Sequence, residues 1–129
     1  MHDPKAPKKR RWRHKFREAF RGIKLGVRGH SSFCVHFFFA VLVVAFSAVL
    51  ECYVWEWCVL LGCIGMVLTT ELLNSSIETL FHGLDDATKS RLHGVLDISA
   101  GAVLMASITA STIGLIVFVN RFYSVLTGN

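Results

Sequence analysis

A stripe of polar side chains interrupts a long apolar stretch in the middle of the sequence. On an ideal helix, which turns about 100° per residue, Glu71 and Glu78 differ by about 20° in direction, and Asn74 lies about 60° from Glu71. His82 extends the same face by one further turn. One helix therefore presents two carboxylates, a carboxamide and an imidazole along a single side.

Asp97 adds another carboxylate near the start of the next apolar stretch. The polar segment between the two stretches, residues 82–93, is short, so we expect antiparallel neighbouring helices with Asp97 at about the depth of Asn74 or Glu78. Such oxygen ligands suit Mg²⁺, which proteins usually hold through one or two carboxylates together with nucleotide phosphates. A further carboxylate can accept the proton of an attacking hydroxyl, the task of a general base in phosphoryl transfer. The residues indicate phosphoryl-transfer chemistry at a membrane surface.

Interhelical hydrogen bonding is the alternative role for these polar groups. An acidic residue at the centre of a spanning helix costs about 2.5 to 3.5 kcal/mol on insertion scales, so Glu71 and Glu78 need either partners or a function. Asn74 and Ser75 are equally well explained as hydrogen-bonding residues between helices. The sequence contains no Walker-type glycine loop, nucleophilic Ser or Cys motif or H-E-x-x-H motif. A nucleotide would therefore be held by side chains and by the membrane surface.

Three membrane-spanning helices are the elements that must position these residues. With 53% hydrophobic residues and a mean hydropathy of +0.49, a chain of 129 residues is too apolar for a water-soluble fold. A bilayer core needs about 20 mostly apolar residues per helix. Three stretches meet this requirement, at about residues 31–50, 54–81 and 92–120. We predict an all-α membrane protein with a single domain over residues 13–129.

The amino-terminal segment is strongly basic and carries 11 of the 14 Lys and Arg residues, all at or before Arg28. We predict that residues 1–12 are disordered. Residues 13–29 are predicted to form an amphipathic helix in the lipid headgroup layer, because apolar side chains follow one face, at Phe16, Phe20, Ile23 and Val27. Positive charge marks the cytoplasmic side of a span, so the N-terminus and the 82–93 segment should face the cytoplasm. No nucleic-acid-binding module accompanies these cations, and no nucleic-acid partner is expected.

Two motifs in the apolar part of the chain match a known pattern. Residues 71–78 (ELLNSSIE) fit the signature E-x-L-N-[ST]-[AS]-I-E, and residues 97–104 (DISAGAVL) are similar to D-x-x-x-[AG]-A-V-L. Smaller matches lie in the basic helix and at the entrances to the first two spans, at Gly22 to Lys24, Phe33, His36, Glu56 and Trp57. With these residues the chain, over about residues 11–120, resembles the small integral membrane lipid kinases that include bacterial diacylglycerol kinase and undecaprenol kinase.

The resemblance implies an ATP-dependent lipid kinase of the bacterial inner membrane that phosphorylates undecaprenol or diacylglycerol at the cytoplasmic face. Carried over by position, Glu71 is the catalytic base and Glu78 is a ligand of the nucleotide-bound Mg²⁺. Four further residues are expected to bind ATP or the lipid, namely Asn74, Asp97, Arg11 and Lys24. The resemblance also implies a homotrimer whose active sites lie between subunits.

The chain departs from the family pattern at four positions. His30 and His82 stand where the family has a metal-binding Glu and an Asp. Cys34 and Leu96 stand where the family has an Arg and a Lys. Neutral imidazole is a poor ligand for Mg²⁺ and a good one for softer ions, so a metal site at Glu78, His30 and His82 would also suit Mn²⁺ or Zn²⁺. Loss of the Lys removes a phosphate partner, a role that the cations of the 82–93 segment are placed to take.

Two other functions remain open at the level of the sequence. The four departures are also what a degenerate, non-catalytic relative would show, one that binds lipid or assists assembly in the membrane. A small transporter or channel would use the carboxylate stripe as an ion path, and ATP would then have no role. The acceptor lipid, the preferred metal and the nucleotide are undecided by the residues alone.

Overall fold

A computed structural model describes residues 12–29 and 31–128 of the chain. The described residues form five helices, namely α1 (Trp12–Gly29), α2 (Ser31–Val49), α3 (Val54–His82), α4 (Asp86–Arg91) and α5 (Val95–Thr127). The predicted site residues Arg11 and His30, and the predicted disorder before Trp12, lie outside the described residues.

Helices α2, α3 and α5 are long and apolar enough to cross a membrane, which confirms the predicted all-α, three-span architecture. At a rise of 1.5 Å per residue, α3 is about 44 Å long, against a hydrocarbon core of about 30 Å. Glu71 lies about 26 Å along the helix from its first residue, and Glu78 about 36 Å. The polar stripe therefore occupies the C-terminal half of α3, with Glu71 inside and Glu78 beyond one core length counted from Val54.

Helix α3 is the centre of the fold and packs chiefly against α5, with α2 and α1 on its other sides. Gly114 of α5 faces Leu60 of α3, and a Cβ added at Gly114 would lie 3.9 Å from Cδ2 of Leu60, an ordinary van der Waals distance. The buried apolar residues of α3 and α5 follow helical spacing and form the core, at Leu60, Cys63, Val67, Val103, Ala106 and Val117.

The predicted amphipathic helix is confirmed as α1, and the apolar side chains of its predicted face, Phe16, Phe20, Ile23 and Val27, are exposed. It meets α3 through Gly26, where an added Cβ would lie 2.6 Å from Cδ2 of Leu72. A larger residue at position 26 would have to displace the Leu72 side chain. The absence of a side chain at Gly26 thus sets how closely α1 lies against α3.

The turn between α2 and α3 is held by a buried arginine of α5. Arg121 donates from Nε to the carbonyl oxygen of Leu50 at 2.9 Å and from Nη2 to that of Glu51 at 2.5 Å, and its guanidinium lies 4.1 Å from the ring centroid of Tyr53. Glu51 adopts a φ of 50°, in the left-handed region that non-glycine residues rarely adopt. Glu56 accepts a 2.7 Å hydrogen bond from the backbone N–H of Tyr53 and so caps the start of α3.

Between α3 and α5, the segment that we expected to be a polar loop contains the short helix α4, and α5 begins at Val95 rather than near residue 92. Asp85 is the N-cap of α4, since its Oδ2 accepts from the N–H of Thr88 at 3.1 Å and its Oδ1 from the Thr88 hydroxyl at 2.7 Å. These hydrogen bonds from Thr88 lower the pKa of Asp85. The cap gives this connection a defined conformation.

Candidate active site

Glu71 is almost completely buried, with 2% of its surface exposed, and both of its carboxylate oxygens lie against α2. The hydroxyl of Ser32 donates a hydrogen bond to Oε1, and Nε2 of His36 lies 3.8 Å from Oε2. Ser32 and His36 are four residues apart and therefore share one face of α2. A buried carboxylate is costly without such partners, and α2 also directs the positive end of its backbone dipole toward this region.

Asn74 connects α5 to Glu78 through a chain of hydrogen bonds. Its Oδ1 accepts from the hydroxyl of Ser99 at 2.6 Å, and its Nδ2 donates to Oε1 of Glu78 at 3.1 Å. Asn74 and Ser99 are each 8% exposed, whereas Glu78 is half-buried. The network fixes the orientation of the amide and anchors one oxygen of a carboxylate that is accessible from the membrane surface.

Asp97 does not join this network within the chain. Its side chain is exposed and makes no hydrogen bond or ion pair with any residue in the described ranges. It precedes Ser99 by two positions, which is about 200° around a helix, so its carboxylate is directed away from the contact that Ser99 makes with α3. The structure brings Asn74 and Glu78 together and buries Glu71 beside them on α3, but it leaves Asp97 on another face.

Two further predicted residues, His82 and Lys24, lie at the surface. His82 is the last residue of α3, and its Nδ1 lies 2.7 Å from the backbone oxygen of Glu78, so the ring is turned back onto its own helix. Lys24 is exposed on α1 and makes no hydrogen bond or ion pair with another described residue. In residues 12–29 and 31–128, no group of three or more His, Cys, Asp or Glu side chains is placed to hold a metal ion. The expectation of Mn²⁺ or Zn²⁺ gains no support from this part of the chain.

In the described part of the chain, Ser75 does not make the interhelical hydrogen bond that the sequence suggested for it. The residue is 3% exposed, and its hydroxyl has no hydrogen-bond partner among the described residues. It lines a cavity of about 620 Å³ between α1 and α3, whose polar and small lining residues include Gly22, Gly26, Ser76 and Thr79. Asn74, by contrast, does make the expected hydrogen bond to the neighbouring helix.

An apolar groove of about 470 Å³ runs between α2, α3 and α5. Its volume lies in the range of small-molecule sites, about 300 to 1,000 Å³. His36, which touches Glu71, is one of its lining residues, and exposed apolar side chains form its rim, among them Val35, Phe39 and Leu115. The groove thus connects the apolar surface of the spanning helices with the immediate surroundings of the buried carboxylate.

Sequence reasoning did not single out Ser32 and Ser99, the two serines that donate hydrogen bonds to Glu71 and Asn74 of the polar stripe. A lone serine in an apolar helix carries no periodic signal, because its hydroxyl most often bonds its own backbone. The one available signal for Ser32 was its spacing of four from His36, which places both residues on one face of α2.

Comparison with known proteins identifies the family of the chain. The model of the family described as prokaryotic diacylglycerol kinase matches residues 17–118, a region that contains most of α1, all of the polar stripe and most of α5. The chain is 29% identical over 106 residues to the undecaprenol kinase of Bacillus subtilis (strain 168), covering 82% of this chain and 86% of that relative. No solved structure gives a significant match. The chain belongs to the prokaryotic diacylglycerol kinase family and is a membrane lipid kinase.

Proposed function

We propose that this kinase transfers the γ-phosphoryl group of ATP to the hydroxyl of undecaprenol at the cytoplasmic face of the bacterial inner membrane. The observation that carries the proposal is the position of Glu71, a buried carboxylate held by donors of α2 beside an apolar groove. Undecaprenol is the first acceptor because the Bacillus subtilis relative is an undecaprenol kinase. Diacylglycerol is the second, because the family description names it.

Glu71 is the general base in this proposal. The acceptor chain lies in the groove between α2, α3 and α5 with its hydroxyl at the end marked by His36 and Glu71. The carboxylate of Glu71 takes the hydroxyl proton, the acceptor oxygen bonds to the γ-phosphorus, and the bond to the departing ADP breaks. Most of the acceleration comes from positioning, because a fixed geometry converts the encounter into an effectively unimolecular step.

Glu78 is the candidate ligand of a Mg²⁺ ion that arrives with the nucleotide. Such an ion needs one or two protein carboxylates, since phosphate oxygens and water supply the other ligands. A half-buried carboxylate with one oxygen anchored by Asn74 fits this requirement. The ion would neutralise charge on the phosphates, while Asn74 and Ser99 keep the carboxylate in place.

The cytoplasmic orientation is supported by the placement of charge. Helices α2 and α3 cross in opposite directions, so α1 and α4 lie on the same side as the polar end of α3. That side carries the basic helix α1 together with Lys89 and Arg91, whereas Glu51 and Glu56 lie at the other end. An excess of Lys and Arg marks the cytoplasmic side of a membrane protein.

A homotrimer with sites between subunits accounts for the position of Asp97. Within one chain its carboxylate is directed away from the α3 stripe. The family resemblance makes Asp97 a nucleotide-site residue, and both statements hold if Asp97 completes the site of a neighbouring subunit. Lys24 on α1 and Arg11 before it are proposed to contact the phosphates from the same membrane surface.

The test is an assay of the purified full chain in lipid nanodiscs with labelled ATP, Mg²⁺, and undecaprenol or diacylglycerol in parallel. We expect phosphorylated lipid from the wild type and none from Glu71→Gln, which keeps the shape of the side chain but cannot act as a base. Glu56→Gln is the matched control, because Glu56 is 3% exposed on the same helix but caps the N-terminus of α3. A Gln at this position retains capping capacity, so the control should keep wild-type turnover.

Three results would contradict the proposal. If the wild type phosphorylates neither acceptor, the remaining interpretation is a non-catalytic relative that binds lipid. Equal activity of the wild type and Glu71→Gln would show that Glu71 is not the general base. Ion flux through liposomes that depends on Glu71 and not on ATP would favour the transport function.

A further inference from the structure

The two oxygens of Glu71 are in different surroundings. Oε1 accepts the hydroxyl hydrogen bond of Ser32, while Oε2 lies 3.8 Å from Nε2 of His36. His36 is 21% exposed and lines the apolar groove, whereas Glu71 is 2% exposed. Of the two oxygens, Oε2 is therefore the one that lies beside a residue lining the groove.

Asn74 and Ser99 form hydrogen bonds elsewhere, and the buried hydroxyl of Ser75, one turn from Glu71 on α3, makes no hydrogen bond with it. On α3, one oxygen of Glu78 accepts from Asn74, and on α5 the hydroxyl of Ser99 bonds both Asn74 and the backbone oxygen of Leu96. The two polar contacts that the structure gives the Glu71 side chain both come from α2, at positions one turn apart. Helix α2 thus determines the conformation of the Glu71 side chain.

We propose, on the basis of the proposed kinase function, that Ser32 and His36 are positioning residues for Glu71. Ser32 holds Oε1, so that Oε2 is the oxygen that receives the acceptor proton beside His36 at the groove. A glutamate has several rotatable bonds, and an unanchored carboxylate would have to be ordered in each turnover. Misplacement of a reacting group by about 1 Å can cost about a hundredfold in rate. Neither residue needs to exchange a proton with the substrate for this role.

The test compares side chains of equal shape that differ in hydrogen bonding. Ser32→Val and Ser32→Thr differ only in the hydroxyl, and His36→Leu and His36→Gln differ in the presence of polar atoms. We expect Ser32→Val to lower kcat by about ten- to a hundredfold with unchanged KM for ATP and for the lipid, and Ser32→Thr to restore most of it. His36→Leu should lower kcat by a smaller factor, and His36→Gln should keep more activity than His36→Leu.

The matched control is Ser47→Val on the same helix. Ser47 is completely buried, and its hydroxyl donates to the backbone oxygen of Val43 rather than to α3. This variant should leave kcat unchanged, so a loss restricted to Ser32 is not a general effect of removing a serine from α2. The thermal midpoint of every variant is measured in the same nanodiscs.

A second background shows whether Ser32 acts through Glu71. In Glu71→Asp the shorter carboxylate no longer reaches its partner, so adding Ser32→Val should change the residual kcat by less than about twofold. The proposal is overturned if Ser32→Val keeps its full effect in this background, if Ser32→Thr and Ser32→Val are equally active, or if both positions alter only the KM for the lipid. Absence of transfer by the wild type would refute the kinase proposal itself and this inference with it, whereas wild-type transfer with unaffected variants refutes the inference alone.

Discussion

At the scale of single residues, two glutamates of α3 show how the partner, rather than burial, decides the role of a carboxylate. Glu56 is 3% exposed and Glu71 is 2% exposed. The first accepts a backbone N–H of its own helix end, a local contact that stabilises α3. The second accepts a hydroxyl from another helix beside a groove. A buried acid with donors from a second element is the better candidate for chemistry.

Cys52 gives a prediction for pH dependence at this scale. Burial raises the pKa of its thiol, and the nearby Glu56 carboxylate raises it further. The thiolate is the reactive form, so at a given pH the folded protein should be alkylated more slowly than the unfolded chain. The measurement is the iodoacetamide reaction rate against pH in a chain whose other three cysteines are replaced by Ala.

We expect the rate to keep rising above about pH 8.5, where an ordinary thiol begins to level off. Glu56→Gln should increase the rate at neutral pH, because it removes a negative charge that disfavours the thiolate. The detergent-unfolded chain is the control. The prediction would be contradicted if the rate for the folded protein levelled off at the same pH as the rate for the unfolded chain, or at a lower pH.

The residue pattern predicted part of the site and not the rest. Glu71, Asn74 and Glu78 could be placed on one helix from their spacing alone, because helical geometry fixes relative directions within an element. Spacing does not fix the rotation of α5 about its axis, so the sequence could not show that Ser99, and not Asp97, faces Asn74. Ser32 could not be foreseen because its partner lies 39 positions away along the chain.

At the scale of elements, α2 is connected to the rest of the molecule at both ends. The turn that follows its C-terminus is bound by Arg121, and its N-terminal turn is bound by Glu71. Hydropathy predicted the three spans well, because their length and apolar character meet what a bilayer requires. It gave no sign of the Arg121 contact, since a single cation near the end of a span resembles any interfacial arginine.

Replacing Arg121 should destabilise the fold without touching the site. Arg121→Leu leaves the carbonyl oxygens of Leu50 and Glu51 without their donor and should lower the free energy of unfolding by about 1.5 to 3 kcal/mol. Arg121→Lys should recover only part of this, because an ammonium cannot reproduce the two-pronged geometry. The measurement is unfolding in mixed micelles of increasing denaturing-detergent fraction.

Asn120→Ala is the control for this prediction, since the neighbouring Asn120 is exposed. It should unfold at the wild-type detergent fraction. If Arg121→Leu did so too, the contact with the turn would contribute nothing measurable to stability.

At the scale of the whole molecule, two residues proposed for the active site do not face each other within one chain. Glu71 is buried against α2, and Asp97 is exposed on α5. Closed symmetry is the usual form of homo-oligomers, and in a ring each chain can give its Asp97 to a neighbour. The proposed homotrimer therefore has a direct test in mixtures of two inactive variants.

Chains carrying Glu71→Gln and chains carrying Asp97→Asn should each be inactive alone. Refolded together in equal amounts, they should regain about a quarter of the wild-type activity. A shared site is active only when the chain that supplies Glu71 and the neighbour that supplies Asp97 both carry the wild-type residue, and each of these conditions is met in half of the sites. The assay is lipid phosphorylation after co-reconstitution, with mixed oligomers verified by two affinity tags.

The control mixture pairs Glu71→Gln with Asn74→Leu. Both residues lie on α3 of one chain, so no mixed site would contain both intact side chains, and activity should not return. Equal recovery in the two mixtures, or none in the first despite mixed oligomers, would mean that Asp97 is not shared between chains.

The apolar groove between α2, α3 and α5 is bordered by exposed apolar side chains of the spanning helices, at Val35, Phe39 and Leu115, so a lipid acceptor can reach it from within the bilayer. A substrate that enters by this route diffuses in two dimensions and never leaves the bilayer. The quantity that governs saturation is then its mole fraction among the surrounding lipids. Diluting the membrane with inert phospholipid at constant total substrate should slow the reaction, while diluting the vesicles with buffer should leave the turnover of each enzyme molecule unchanged.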